Sequence, residues 1–345
     1  HMRLIISTVG TSLISNRSKE QSGSTRLEEL LMHITVKGEV KASAETNALS
    51  RLISEGDQLL FLCSDTPDGN LSSEALTQFY QKKGFKSSFK VIRELNYLHD
   101  DFMSRGLKSL VNILIDEIQI SRRKGLEPII SATGGFKAEI AYATLVGLVF
   151  HVPVYYIHEV FQDIICMPPA PIDWDLTLLA ENEEFFQWIN QEFRRTEKVN
   201  RRLKGLPDRI QLLLEEDADG YTTLSAAGRV YYAAYEEILK DLPPVKISDT
   251  AIKFYNKLDT TQQKAIESCV HKLRIEPLRK SGSGQIGTTD CFVYPRGDCP
   301  ERIYYHENNG EIFICEIAFH EINYEDLNKK GVYKRNYGDF ELWKG

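Results

Sequence analysis

The chain contains 345 residues, which is more than a typical single domain, so we expect at least two domains. Its hydrophobic fraction of 42% and charged fraction of 26% are ordinary for a globular protein and give no indication of disorder. The formal net charge of −7 argues against a strongly basic nucleic-acid clamp, and within residues 246–345 the basic and acidic side chains balance.

The six cysteines are scattered without a C-x-x-C pair, which argues against a zinc site and against a secreted disulfide framework. No apolar run approaches the length of a membrane span, and the first residues lack the architecture of a signal peptide. We therefore expect a cytoplasmic protein with reduced thiols and no membrane partner.

Strand-like and helix-like segments alternate along the first half of the chain. Short apolar runs rich in β-branched residues predict strands, and the amphipathic stretches between them predict helices. The predicted strands cover residues 3–8, 58–63, 89–95, 128–132 and 152–157, and the predicted helices cover residues 42–54, 72–83, 101–123 and 137–149. This alternation predicts an α/β fold with a mostly parallel sheet covered on both faces.

Polar turns follow three of these predicted strands. The carboxyl ends of parallel strands meet at one edge of a sheet, so we expect these turns to form one ligand site. The paired glycines, the start of the following helix and Lys137 favour an anion such as phosphate, although an ordinary strand-to-helix turn with a solvated lysine is the alternative. The candidate ligand-binding residues are Gly10, Thr11, Ser12, Asp65, Thr133, Gly134, Gly135, Phe136 and Lys137.

Standard nucleotide motifs are missing from the sequence. It contains neither a G-x-G-x-x-G after the first strand nor a G-x-x-x-x-G-K-[ST], which disfavours dinucleotide and P-loop chemistry. The segments STVGTS (residues 7–12) and ATGGFKAE (residues 132–139) instead resemble the CARF domain, the CRISPR-associated Rossmann-like sensor of cyclic oligoadenylates, over about residues 2–167.

The resemblance to the CARF domain implies a Rossmann-like homodimer whose ligand lies across the twofold axis, with the turns after the first and fourth predicted strands contacting the phosphate-ribose ring. It implies a cyclic oligoadenylate as the activating ligand, and cyclic tetra-adenylate is the ring that we test first. Some CARF domains also cleave their ligand slowly, with the ribose 2′-hydroxyl as nucleophile, and Ser12 and Lys137 match the positions implicated in that activity.

A proline cluster at residues 168–171 marks the predicted end of the sensor domain, which we place at residues 2–170. Residues 171–245 are predicted to form a helical or winged-helix connector. DNA binding through residues 206–239 is one interpretation, but the predicted recognition helix offers only Arg229 as a cation, which favours a rigid spacer instead.

The last segment, residues 246–345, has an α+β pattern. A predicted helix at 251–274 precedes predicted strands at 290–294, 302–307 and 312–319, and an Asn-Asn-Gly turn joins the last two. Residues 301–305 and 312–320 make this segment resemble the RelE/YoeB-like toxin fold of mRNA interferases. That resemblance implies an endoribonuclease that cleaves mRNA on the ribosome.

RNA cleavage by 2′-hydroxyl attack needs a base, an acid and cations that stabilise the phosphorane. The resemblance places Arg302 as the phosphate-contacting cation. Arg296 is the second choice, and His320 is the candidate general acid or base. The remaining three candidates form a basic-aromatic cluster suited to holding or stacking RNA. The candidate catalytic residues are Arg302, Arg296, His320, Lys334, Arg335 and Tyr337.

A metal-dependent nuclease of the restriction type would carry Glu-x-Lys on a strand, and the second half of the chain has none, so we expect no metal and no cofactor besides the activator. The sequence thus predicts a type III CRISPR ancillary effector: a cyclic-oligoadenylate-activated, metal-independent mRNA endonuclease acting as a homodimer. A ligand-responsive DNA-binding transcription regulator and a stand-alone ring nuclease are the alternatives. The ring size and the assignment of acid and base stay open.

Overall fold

The computed structural model describes residues 2–18, 26–96, 105–157, 163–169, 174–287 and 289–344. They divide into two compact units. The first unit comprises the residues up to Trp174 together with Glu184–Ala234, and the second comprises Asp175–Glu183 together with the residues from Tyr235 onward. The boundaries between these units differ from the predicted domain boundaries, because Ala226 and Val230 of the expected connector belong to the core of the first unit.

The first unit is built on a six-stranded sheet in the order β3-β2-β1-β4-β5-β6. Neighbouring strands from β3 to β5 pair in parallel, and β6 pairs antiparallel with β5. The predicted α/β class with a mostly parallel sheet is confirmed. The strands are β1 (Arg3–Val9), β2 (Gln58–Ser64), β3 (Lys86–Ile92), β4 (Glu127–Ser131), β5 (Val154–Ile157) and β6 (Ile164–Met167).

Helices cover both faces of this sheet, and an apolar core lies on each face. Local sequence explains where some helices begin. Thr66 caps α5 by accepting from the Gly69 N–H, and Pro67 stands in the first turn, where its missing N–H costs nothing. The helices are α1 (Ser12–Ser18), α2 (Leu27–Lys37), α3 (Glu39–Ala42), α4 (Ala44–Leu52), α5 (Pro67–Lys82), α6 (Gly106–Arg123) and α7 (Lys137–Val149).

A small antiparallel sheet, in the order β7-β9-β8, completes the first unit. The chain between β6 and the second unit's sheet contains α8 (Thr177–Glu181), α9 (Glu183–Gln191), β7 (Arg194–Arg195), α10 (Thr196–Leu203), a 3-10 helix (Asp208–Leu213), β8 (Leu214–Glu216), β9 (Tyr221–Leu224) and α11 (Ala226–Lys240). The Arg229 guanidinium, the cation considered for DNA binding, donates to Asn112 Oδ1 of α6 at 2.9 Å.

The second unit contains another six-stranded sheet, in the order β11-β12-β13-β14-β10-β15. Its pairs are antiparallel except for the parallel pair β10 and β14. Its elements are β10 (Val245–Ser248), α12 (Asp249–Tyr255), α13 (Thr260–Arg274), α14 (Glu276–Gly282), β11 (Gly284–Gln285), β12 (Phe292–Tyr294), β13 (Glu301–Asn308), β14 (Glu311–Phe319), α15 (Tyr324–Lys330), a 3-10 helix (Lys334–Asn336) and β15 (Phe340–Leu342).

Two features of the second unit follow directly from local sequence. Asn309 and Gly310 both have positive φ, at 49° and 77°, which suits the tight turn predicted between β13 and β14. The single helix predicted at 251–274 is wrong: the structure has two helices, because Asp259 and Gln262 form a capping box that starts α13 afresh.

The sheet of the second unit has an apolar core on each face. Helices α12 and α13 pack on one face, where Ile303 and Tyr305 point into the larger core. The other face carries a smaller core around Tyr304 and Val332, with Tyr324 of α15 packed against it. Two predicted catalytic residues belong to this second face: Arg302, which lies two residues from Tyr304 on β13, and Tyr337, which packs against the smaller core.

Among the residues that the structure describes, none of the helices combines the length and the apolar character needed to cross a bilayer. Within the same residues, no group of three or more His, Cys, Asp and Glu side chains is arranged to hold a metal ion.

Candidate functional site

The candidate ligand pocket lies where β1 and β4 end side by side. The chain adds β2 and β3 on one side of β1 and then adds β4 and β5 on the other side. The point where the strand order changes side in this way is the usual ligand crevice of an open α/β sheet. The Thr8 hydroxyl donates to the Gly134 carbonyl at 2.5 Å. A Cβ added to Gly10 would lie 2.7 Å from Gly135 N, so the two turns touch through bare backbone.

A buried carboxylate that sequence reasoning missed holds the turn after β1. Glu45, in the first turn of α4, is 1% exposed. Its Oε1 accepts from the Gly10 N–H at 2.8 Å, and its Oε2 accepts from the Ser12 hydroxyl at 2.9 Å. A Cβ at Gly134 would collide with the same carboxylate. Nothing in the sequence near Ser12 signals Glu45, because the contact joins residues more than thirty positions apart.

A second buried carboxyl group lies behind Gly135. Glu139 of α7 is 1% exposed, and burial raises its pKa to about 8, against the opposing effect of a hydrogen bond from the Phe136 backbone. Its Oε1 has no hydrogen-bond partner. A Cβ at Gly135, where φ is +102°, would collide with Glu139 Oε2. The two glycines therefore lie between two buried carboxyl groups, which explains why neither position has room for a side chain.

The other predicted pocket residues take up positions at the same sheet edge. Thr133 Oγ1 accepts from the Ile157 N–H at 3.3 Å, and Lys137 is exposed at the start of α7. Thr11 is exposed after β1. Asp65 is exposed after β2, the neighbour of β1, and its N–H donates to the Leu95 carbonyl at 3.1 Å. The arrangement offers a helix start and a mobile cation at one turn, and a carboxylate-bound turn opposite.

The predicted catalytic residues of the second unit form two clusters. The first contains Arg296, Arg302 and His320. Arg296 and Arg302 line a cavity of about 210 Å³ together with Tyr324. The exposed His320 ring lies 4.1 Å from the Tyr324 ring, measured between centroids. Tyr324, which sequence reasoning missed, therefore links these predicted residues.

Arg302 is largely committed to the protein itself. The side chain is 6% exposed, and it donates to the carbonyls of Gly297 at 2.5 Å, Cys299 at 2.5 Å and Glu301 at 2.7 Å. These bonds use three of the five guanidinium N–H donors. The guanidinium therefore holds the loop between β12 and β13 in place, whatever further contact it makes in the cavity.

The second cluster contains Lys334, Arg335 and Tyr337. The Tyr337 hydroxyl donates to Glu316 Oε1 at 2.8 Å, and burial raises the pKa of Glu316. Lys334 is exposed, and its backbone N–H donates to Asp290 Oδ1 at 2.8 Å. Arg335 lies over the Tyr333 ring, 5.5 Å from its centroid.

His306 belongs with the second cluster and was not predicted. Its ring stacks on Phe313 at 5.0 Å, and burial together with the charge of Lys334 lowers its pKa. Arg302 and His306 are four residues apart on β13, so the two clusters are separated by about 13 Å of extended strand. Period-two alternation along β13 is the sequence signal that could have identified His306.

Comparison with known protein families gave a match that lies within the first unit. Residues 40–170 match the model of a family described as CRISPR-associated protein (Cas_APE2256). The predicted likeness to a CRISPR-associated protein is confirmed for this segment. The match ends at residue 170, so the toxin-like interpretation of residues 246–345 stays a prediction.

Two solved structures resemble the chain at low similarity. The crystal structure of protein VC1899 from Vibrio cholerae has 11% identity and a TM-score of 0.30, covering 70% of this chain and 69% of that one. The structure of Can2 from Sulfobacillus thermosulfidooxidans in complex with cyclic tetra-adenylate has 12% identity and a TM-score of 0.26, covering 92% of this chain and 76% of that one. At these scores neither structure supports an inference about this chain.

Proposed function

We propose that the protein is a type III CRISPR ancillary effector whose first unit binds a cyclic oligoadenylate at the ends of β1, β2 and β4. The observation that carries the proposal is the meeting of the Gly10–Ser12 turn with the Thr133–Lys137 turn, where the backbones of Gly10 and Gly135 are in close contact. The match of residues 40–170 to a CRISPR-associated family supports the same assignment. Cyclic tetra-adenylate is the ring we propose, with a homodimer as the binding species.

In the second unit we propose a metal-independent endoribonuclease that cleaves mRNA on the ribosome by 2′-hydroxyl attack. The cavity beside Arg296 and Arg302 offers cationic side chains for the phosphorane, and His320 at its edge is suited to proton transfer. The balanced charge of residues 246–345 supports a ribosome-presented substrate, because this segment lacks the basic surface needed to hold RNA alone.

The DNA-binding alternative has little support in the geometry. Its main candidate cation, Arg229, donates to Asn112 at 2.9 Å and lies 5.9 Å from the ring centroid of Tyr232. A side chain held between two neighbours is poorly placed to reach a phosphate. The stand-alone ring nuclease remains a rival, since Ser12 and Lys137 both stand at the pocket.

The test uses purified full-length protein, mRNA and ribosomes, with and without cyclic tetra-adenylate. We expect mRNA cleavage that depends on the ring and on the ribosome and that leaves a 2′,3′-cyclic phosphate, the product of 2′-hydroxyl attack. Arg296→Ala and His320→Ala should each reduce cleavage about 100-fold while leaving ring binding unchanged, since general acid-base and electrostatic contributions reach this size.

Three other outcomes would each select against this proposal. Degradation of the ring without any RNA cleavage would favour the stand-alone ring nuclease. Ring-dependent retention of operator DNA without cleavage would favour the transcription regulator. Failure of wild-type protein to bind tetra- or hexa-adenylate rings would contradict the sensor assignment itself.

A further inference from the structure

The Glu45 carboxylate determines what the turn after β1 can offer a ligand. Its Oε1 accepts from the Gly10 N–H at 2.8 Å and its Oε2 accepts from the Ser12 hydroxyl at 2.9 Å. The Gly10 N–H and the Ser12 hydroxyl are the donors in these two bonds. The two donors that would first be expected to hold a phosphate are therefore already used within the protein.

The remaining capacity of Ser12 follows from its hydrogen bonds. A serine hydroxyl has one proton and two lone pairs. The proton is directed at Glu45, and one lone pair accepts from the Ala44 N–H at 3.1 Å. Ser12 as a whole is half-buried, at the start of α1 beside the turn after β1. The Ser12 hydroxyl therefore keeps one lone pair for a ligand. That lone pair can accept from a hydrogen-bond donor, but it repels a phosphate oxygen.

The position of the neighbouring turn indicates which hydrogen-bond donor of the ligand lies beside Ser12. Gly10 and Gly135 are in backbone contact, so a group bound at Ser12 sits beside a group bound near Lys137. In an oligonucleotide the hydrogen-bond donor next to the phosphodiester is the ribose 2′-hydroxyl, whereas the adenine amino group is at the far end of the base.

We infer that Glu45 is a positioning residue that fixes Ser12 Oγ as the acceptor for a ribose 2′-hydroxyl, while the phosphate is held by the Thr133–Lys137 turn. The inference rests on the proposed binding of a cyclic oligoadenylate. It assigns the discrimination between ribose and other sugars to a buried carboxylate that does not itself contact the ligand.

A pair of ligands tests the direction of the hydrogen bond. Cyclic tetra-adenylate carries a 2′-hydroxyl that can donate, whereas its 2′-fluoro counterpart is similar in size and can only accept. We expect the wild-type protein to bind the natural ring about 5- to 10-fold more tightly than the fluoro ring, the value of one net hydrogen bond. Isothermal titration calorimetry on the full-length protein gives both affinities.

Glu45→Gln reverses the direction of the hydrogen bond between residue 45 and Ser12 with little change in the shape of the side chain. Once its Oε1 accepts from the Gly10 N–H, its Nε2 donates to Ser12, whose proton then turns to the ligand. We expect the preference for the natural ring to fall to near unity in Ser12→Ala and to decrease in Glu45→Gln, where the 2′-fluoro group can also accept from Ser12. The exposed Glu74→Gln on α5 is the matched control and should keep the wild-type preference.

The ratio of the two affinities separates this role from a merely structural one, because loss of structure would weaken both rings equally. An unchanged ratio in Glu45→Gln, or equal binding of the two rings by wild type, overturns the inference while leaving the proposed function intact. If Glu45→Gln does not fold by circular dichroism, Ser12→Ala decides: a preserved preference overturns the inference, and a lost one supports it. Wild-type protein that binds neither ring refutes the proposed function instead.

Discussion

At the scale of single residues, the pocket contains a carboxyl group whose charge depends on pH. Glu139 is 1% exposed, and its pKa lies at about 8 rather than at its ordinary value of 4.5, because burial disfavours the charged form. The folded protein therefore holds this proton more tightly than the unfolded chain does. Stability from this group is fully present below about pH 4.5 and is lost as the pH rises to about 8.

Glu139→Gln should remove that pH dependence. Between about pH 4.5 and 8, the wild-type free energy of unfolding should fall by up to about 1.4 kcal/mol per pH unit through this group, and the variant should lack that slope. Thermal unfolding of both proteins from pH 5 to 9 measures the difference. Glu74→Gln, at an exposed site, should behave like wild type. Parallel curves for wild type and Glu139→Gln would show that Glu139 is charged in the folded protein.

Arg296 and Arg302, the two arginines among the candidate catalytic residues, should respond differently to truncation. Arg302→Ala leaves two loop carbonyls and that of Glu301 without their donor and should destabilise the second unit by about 1–3 kcal/mol. Arg296 is exposed, so Arg296→Ala should change stability by less than about 0.5 kcal/mol. Both should reduce RNA cleavage. Unchanged stability in Arg302→Ala, measured by chemical denaturation, would mean that the guanidinium is not the clamp of this loop.

Sequence patterns could select the candidate pocket residues that are close together in the chain, but not those that come together only through folding. Gly134, Gly135 and Lys137 lie within one short motif after a strand, so residue type and spacing were sufficient to select them. Glu45 was missed because its partners Gly10 and Ser12 are distant in sequence, and one acidic residue in a helix resembles any other. The assignment of roles to the pocket and catalytic residues stays a prediction.

At the scale of elements, the paired glycines allow β4 to turn directly into α7. Gly135→Ala meets two penalties, a left-handed φ of +102° and a collision with the buried Glu139. Gly84, in the turn after α5, has a similar φ of +92°, and a methyl group added there would have no atom within 4 Å, so Gly84→Ala measures the backbone penalty alone. We expect about 1 kcal/mol for Gly84→Ala and clearly more for Gly135→Ala.

Equilibrium denaturation of the two alanine variants gives the comparison. The collision is specific to one side chain, so the double variant Gly135→Ala/Glu139→Ala should recover part of the loss relative to the sum of its single changes. Strict additivity would contradict the steric explanation.

The elements that sequence patterns predicted well are those with strong local signals. Strands β13 and β14 alternate clearly and meet at Asn309-Gly310, which favours a hairpin whatever surrounds it. Strand β10 was missed because Val245–Ser248 is too short for a periodic signal, and it forms through parallel pairing with β14, more than sixty residues away. Helix α7 was predicted at residues 137–149, its observed bounds.

At the scale of the whole molecule, two compact units predict two thermal transitions. If the ring binds only the first unit, cyclic tetra-adenylate at 100 times its Kd should stabilise that unit by about 2.7 kcal/mol and leave the other transition in place. Differential scanning calorimetry with and without the ring tests this. The transition whose pH dependence changes in Glu139→Gln identifies the first unit. A single transition that shifts as a whole with the ring would contradict independent unfolding of the two units.

The close packing of Gly134 against Glu45 has an evolutionary consequence. A methyl group at position 134 would collide with Glu45 Oε1 and lie 2.8 Å from the Gly10 backbone nitrogen, so a side chain there requires a shorter residue at position 45 together with a shift of the Gly10 turn. Related chains with alanine or serine at the position of Gly134 should carry a shorter residue at the position of Glu45, and chains that keep the long carboxylate should keep the glycine. An alignment of relatives that lacked this joint variation would show that the turn can relax around an added side chain.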